Sequence, residues 1–421
     1  MDQYRILSLD GGGSWALIQV KTLINLFSKA GNGTDVTGHQ VLKNFDLAVA
    51  NSGGSITLGG LLTDMKLSDL LGFFLDEASR KSIFVDAGFF SDPFSYLLHP
   101  IGIGPKYDTP SKLKGLKGVL KQTGELMVSA VASTIGTNYA GAIPDVVFCA
   151  FDYDANREVF FRSNVASLAA SGSAPLQTTV ALAIHASTNA PLNYFDAPAQ
   201  GPNGTRYWDG AVGGYNNPVL AGVIEALANG NDRAEVIALS LGTANVALPP
   251  QTHAPNEDPV LVAPRADSTI VNDLRKMATS ILDDPPDAAS FHAHIMLGGP
   301  LPAHGSAAPV TTGPVVRMNP LVQPMPGNST AQWVLPSGLS DDEFGKLVQL
   351  DMDAIEQDQV LLISKLCDLW LANKVRNQGI RVVRETLLPD IGHATFADAK
   401  KAWIALCAPA AAPAPHGPAI S

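Results

Sequence analysis

Three short stretches of this 421-residue chain combine the side chains that acyl transfer requires: Asp10-Gly11-Gly12-Gly13-Ser14, Asn51-Ser52-Gly53-Gly54 and Asp209-Gly210-Ala211. A serine hydroxyl is a weak nucleophile until a base takes its proton, and the negative oxygen formed on the substrate needs donors already aimed at it. Ser52 offers the hydroxyl. It falls between the strand-like run Phe45 to Ala50 and the helix-compatible run Ile56 to Leu62. Small flanking residues are what a nucleophile elbow needs, because its serine occupies a strained strand-to-helix turn. Taken alone, a near match to G-x-S-x-G is equally a loop serine beside two glycines.

The glycine run follows the strand candidate Tyr4 to Leu9 and precedes Leu17, Ile18, Val20, Leu23, Ile24 and Phe27 at helical spacing. Its N–H groups and the helix start favour a negative charge. That charge is either a phosphate or an oxyanion. No G-K-[ST] follows, and G-x-G-x-x-G fails at Ala16, so the oxyanion is favoured.

A base for Ser52 is harder to read. Nine histidines are present, and none lies in a local context that marks it as a triad member. His185 falls in an apolar helix candidate, where a core role is expected, and His292 and His294 read as a solvated pair. A Ser-Asp dyad through Asp209 is the economical alternative. It requires the carboxylate to be shielded from water so that its pKa rises.

The elements that must hold these loops alternate. Asp145 to Ala150 and Glu158 to Arg162 read as a hairpin around Asp154-Ala155-Asn156, Thr178 to Ala186 and Val219 to Leu227 as helices, and Glu235 to Leu241 as a buried strand. Strands alternating with helices imply an α/β fold with a mainly parallel sheet and helices on its faces. A helix is expected over Leu67 to Ser79, and another over Ser268 to Leu282. A single long helical stretch is expected from Asp341 to Ala372. The Gly- and Pro-interrupted aromatic region from Phe84 to Leu98 suggests core or an acyl-chain pocket wall. The organisation read from this is a catalytic core over residues 1–246 and a Pro-rich elaboration over 247–336. A helical region at 337–407 packs on the core, and an Ala/Pro-rich tail occupies 408–421.

A net charge of −11 opposes a nucleic-acid partner, since affinity for the phosphate backbone rests on Lys and Arg. The cluster Lys106, Lys112, Lys114, Lys117 and Lys121 reads as a solvated helix face. Three cysteines far apart suggest neither a disulfide framework nor a zinc site. No apolar run is long enough to span a bilayer, and the N-terminus leaves no room for a signal peptide, so a cytoplasmic location is expected and membrane contact would be peripheral. Oligomeric state is not legible.

Taken in order, Asp10-Gly11-Gly12-Gly13, Ala50-Asn51-Ser52-Gly53-Gly54 and Asp209-Gly210-Ala211 resemble the patatin-like phospholipase family. So do Ala186-Ser187-Thr188-Asn189-Ala190-Pro191 and Ser240-Leu241-Gly242-Thr243. The resemblance implies a three-layer α/β/α fold and hydrolysis of a lipid or ester substrate by a Ser52-Asp209 dyad through an acyl-enzyme. No metal or cofactor is implied. The oxyanion hole would come from the loop Gly11, Gly12, Gly13 and Ser14, and Trp15, Asn51 and Gly53 would meet substrate. Trp15 and Ala16 stand where the family has a cation and glycine, which points to an altered or occluded site. Two other readings accompany this one: an α/β-hydrolase with a Ser-His-Asp triad, and a non-catalytic lipid-binding module of the same fold.

Overall fold

The computed structural model describes residues 3–28, 35–83, 108–138, 143–164, 178–191, 194–252, 257–264, 267–269, 287–306, 308–327, 333–350, 352, 354–383 and 387–408. The aromatic region from Phe84 to Leu98, most of the helix expected at Ser268 to Leu282 and almost all of the C-terminal tail lie outside them.

The central element is an eight-stranded sheet. Its strands are β1 (Tyr4–Leu9), β2 (Leu47–Ala50), β3 (Asp145–Asp152), β4 (Arg157–Arg162), β5 (Ala199–Gln200), β6 (Arg206–Asp209) and β7 (Val236–Leu241). After the short strand β8 (Asn245–Val246), which lies outside this sheet, β9 (Val315–Met318) completes it. The order is β5-β6-β3-β2-β1-β7-β9, with β4 also on β3. The pairs β1·β2, β2·β3, β1·β7 and β7·β9 are parallel, and β3·β4, β3·β6 and β5·β6 are antiparallel.

Side chains alternate between two buried faces, as the two-residue strand period requires. Leu7, Leu9, Ala48, Ala50, Val146, Phe148 and Leu239 enter one core, together with residues of the helices Leu17–Phe27, Ser52–Leu62, Val180–Ser187 and Gln357–Leu371. Ile6, Leu47, Val49, Val147, Cys149 and Ala238 enter the other, beneath the helix Val219–Ala228 and a helix at 287–296. Helices on both faces of a mainly parallel sheet make the three-layer α/β/α arrangement that the resemblance implied.

One detail of pairing positions the site. Residues 147–152 of β3 pair with β4 on one edge. β2 occupies the first half of the other edge, up to Ala50↔Phe148, and β6 occupies its second half, down to Asp209↔Ala150. β2 runs parallel and β6 antiparallel to β3, so their C-terminal ends meet. Residues 158 positions apart in sequence, Asn51 and Asp209, therefore face one another.

The C-terminal part is less regular than expected. In place of one helix from Asp341 to Ala372 there are two, Asp341–Gln349 and Gln357–Leu371. Leu350 is extended and Glu356 opens a new capping box, and between them the carbonyl of Met352 meets the glycine loop at the N–H of Ser14. The stretch expected as one helix from Leu67 to Ser79 likewise divides, into Leu67–Leu75 and Glu77–Ile83, with Asp76 extended between them.

Candidate active site

β1 and β2 deliver their loops side by side at the carboxyl edge of the sheet, the place where open α/β folds bind ligands. Ser52 is the first residue of the helix Ser52–Leu62 and holds φ at 48°, left-handed for a residue with a Cβ, as an elbow serine must. Its backbone N–H donates to Ser187 Oγ at 3.0 Å, and that hydroxyl also meets Ser55 Oγ at 2.9 Å. The helix Val180–Ser187 thus braces the elbow from behind.

Across from it stands Asp209, the N-cap of the 3-10 turn Gly210–Gly213 and only 2% exposed. Its Oδ1 accepts from Asn51 Nδ2 and from the backbone N–H of Ala211, each at 2.9 Å. Burial pushes its pKa up. Hydrogen bonds from Ser52, Ala211 and Asn51, and the positive charge of Lys112, oppose the shift. The carboxyl therefore combines burial, which raises its affinity for a proton, with a place in the same cleft as the Ser52 hydroxyl.

The glycine loop lies beside both. Gly12 and Gly13 have φ of 144° and 54°, and a Cβ on Gly12 would come within 2.2 Å of Thr243 Oγ1, so side chains are excluded there. A Cβ on Gly53 would sit 2.5 Å from Gly13 O, which shows how tightly the loop presses on the elbow. The N–H of Gly11 donates to Asn216 O at 2.8 Å and that of Ser14 to Met352 O at 3.2 Å. Among the described residues, the N–H groups of Gly12 and Gly13 make no hydrogen bond.

These groups open into a cleft of about 560 Å³, part of it solvent, whose walls are mainly apolar: Ile56, Ala190, Tyr194, Phe195, Ala211 and Met352, with Gly13, Ser52, Gly53 and Asp209 at its base. Asn216, not singled out in the sequence above, also lines it. Among the described residues, no histidine does. His185 is buried on the helix Val180–Ser187, and burial and Lys112 hold its pKa well below the usual value.

Three expectations are corrected. Trp15, expected to meet substrate, closes the 3-10 turn Gly13–Ala16 by donating its N–H to Gly12 O at 3.0 Å; its side chain enters the core and is 6% exposed. His294 is no member of a solvated pair, for it is fully buried and its Nε2 lies 2.9 Å from Pro300 O. Lys112 is fully buried as well, while Lys114, Lys117 and Lys121 are exposed. Its position four residues before Leu116 and eight before Leu120, both buried, puts it on the apolar stripe of the helix Thr109–Glu125, the signal by which it was legible. Asn51 and Gly53 stay with the site, Asn51 as a donor to Asp209 and Gly53 in the cleft base.

A serine at a strand-to-helix turn, a buried carboxyl and a glycine loop thus stand together at the carboxyl edge of a three-layer α/β/α sheet. A family model described as patatin-like phospholipase matches residues 7–223, and the chain belongs to that family, one of lipid-acting esterases. No match is found among curated protein sequences. Among solved structures, VipD from Legionella pneumophila aligns over 87% of this chain and 67% of that one, at 12% identity and a TM-score of 0.33. Among the described residues, no helix is long and apolar enough to cross a membrane.

Proposed function

We propose that this protein hydrolyses carboxylic esters of lipids through a Ser52-Asp209 dyad. The observation that carries the reading is the buried carboxyl of Asp209, held by Asn51 and Ala211 and sharing with Ser52 the base of an apolar cleft that, among the described residues, no histidine lines. Ser52 Oγ attacks the ester carbonyl carbon while its proton passes to the Asp209 carboxylate. The C=O bond becomes a C–O⁻ bond, and the oxyanion faces the N–H groups of Gly12 and Gly13. The proposed donor set narrows to these two, since Gly11 and Ser14 are already engaged. Collapse expels the alcohol, which takes the proton from Asp209, and leaves an acyl group on Ser52. Water then attacks the acyl carbon as Asp209 accepts its proton, and the second collapse returns that proton to Ser52 Oγ as the fatty acid departs. The apolar walls fit an acyl chain.

The test compares p-nitrophenyl ester and phospholipid hydrolysis by the wild type and Ser52→Ala, with fluorophosphonate labelling alongside. Loss of turnover by about 10⁴-fold or more together with loss of the label is expected. Full activity in Ser52→Ala would remove the assignment.

A further inference from the structure

Behind the cleft wall lies a charged group that the dyad chemistry does not use. Lys112 Nζ donates to His185 O at 3.0 Å and to Asn189 Oδ1 at 2.7 Å, and sits 3.9 Å from the centroid of the Phe195 ring. Two carbonyl acceptors and an aromatic face suit an ammonium, which has three N–H groups and no lone pair. A neutral amine would turn its lone pair toward the electron-rich ring, which repels it. The surroundings are tied together independently. Asn189 Nδ2 donates to Ala197 O at 2.7 Å, and Thr109, at the start of the same helix as Lys112, donates through Oγ1 to Asp196 Oδ1 at 2.7 Å and to Ala197 O at 2.9 Å. Asn189 also reaches the dyad: its backbone carbonyl accepts the N–H of Asp209 at 2.9 Å.

Resting on the dyad reading, we infer that Lys112 is a positioning residue for Asp209: through Asn189 it anchors the backbone that presents the carboxyl, and its buried charge holds that carboxyl in the proton-accepting, anionic form. Among the charged side chains, Lys112 acts on Asp209 and Asp209 on Lys112. Burial lowers the pKa of the lysine and the carboxylate opposes that shift, as two opposite charges sharing one dry interior should. Other titratable groups face the pair. His185 is kept neutral by burial, the Cys149 thiol on β3 is pushed up by burial and by Asp209, and Tyr194 and Asp196 flank Phe195, with Asp196 bonded to Thr109. None of them supplies a second cation.

The experiment follows Asp209 in two ways in the wild type, Lys112→Met and Lys112→Gln: the pH profile of kcat and KM on p-nitrophenyl butyrate, and a carbon-13 NMR titration of the carboxyl, assigned by its absence in Asp209→Asn. Without the ammonium, the Asp209 titration and the acid limb of kcat should both move up by about one pH unit, equivalent to about tenfold less anion on the acid side. On the acid side of the profile kcat should fall about tenfold with KM within about twofold, and the difference should fade on the alkaline side, where both forms are ionised. Lys112→Gln retains donors for both carbonyls and decides the matter if Lys112→Met does not fold. A lowered melting temperature with neither the titration nor the acid limb displaced would overturn the inference. A wild type that hydrolyses nothing and leaves Ser52 unlabelled would sink the dyad reading instead, while the NMR titration would still show whether Lys112 sets the charge of Asp209.

Discussion

Two buried carboxyls stand at the carboxyl edge of this sheet, and they are held in opposite ways. Asp10, at the end of β1, is in contact with a cation: Arg317 Nη2 lies 2.6 Å from its Oδ2, with both side chains 4% exposed. Arg317 donates further to Ser240 Oγ at 2.8 Å, and among the described residues the second oxygen of Asp10 has no hydrogen-bond partner. Among the described residues, Asp209 is touched only by neutral donors, with its cation held back behind Asn189. Yet both pKa values are raised. Burial takes Asp10 up to about 6 against the pull of Arg317, with Asp287 adding to the rise. A raised pKa therefore does not single out the base. What separates the two is the neighbour: Asp209 shares its cleft with a serine hydroxyl, while Asp10 meets a guanidinium that has no proton to give.

The largest effect that could break this contrast is chemical. Asp209→Asn keeps an oxygen for Asn51 and Ala211 and removes the proton acceptor, so kcat on an ester substrate should fall about 10³ to 10⁴-fold. Stability should move the other way. A carboxyl whose folded pKa lies above its unfolded value contributes most below the unfolded pKa and loses that contribution as pH rises through the folded one. The melting temperature of Asp209→Asn should match the wild type near about pH 4 and exceed it by about pH 8; a variant less stable than the wild type at the higher pH would contradict the raised pKa.

Arg317→Met tests the other carboxyl. It strips Asp10 of its cation and should cost about 3–5 kcal/mol near pH 8, measured by denaturant unfolding. The same sign applies: the cost should be smaller at about pH 5, below the raised pKa, where Asp10 is protonated. Adding Asp10→Asn should recover part of the loss, since no uncompensated charge then remains. An equal cost at both pH values would mean that packing, not charge, is what Arg317 supplies.

Smaller effects sharpen the picture. Asn51→Ala removes one hydrogen bond to the anionic form of Asp209 and should lower kcat about tenfold, with the acid limb displaced upward. His185→Leu should change kcat by less than about threefold. A loss from His185→Leu as deep as that from Ser52→Ala would revive a triad.

Much of the site was legible because it is local. A strand, three glycines and a helix, or a strand, a small-residue turn and a helix, announce themselves within about a dozen residues, and alternating apolar strands and helices announce the fold class. What was missed depended on partners distant in sequence. Ser14 has an N–H like any other until Met352 O arrives from the C-terminal region to take it. Trp15 reads as an obstruction until the 3-10 turn sends it into the core. The stretch from Asp341 to Ala372 has helical periodicity throughout, but it breaks where Met352 meets the glycine loop and Arg80 takes hold of Ile355 O at 3.0 and 2.8 Å.

By itself, the amino-acid order determined that a serine would occupy a tight turn after one strand, that a glycine loop would follow another, and that an aspartate would stand in an Asp-Gly-Ala stretch far downstream. These are consequences of backbone geometry over a few residues. Only the tertiary structure decided that the serine and that aspartate would face one another, because β2 and β6 divide a single edge of β3 and end toward each other. It also decided that Lys112, out of its cluster, would be buried behind them. Burial and charge act through space, and a side chain's dielectric surroundings are set by whatever folds against it.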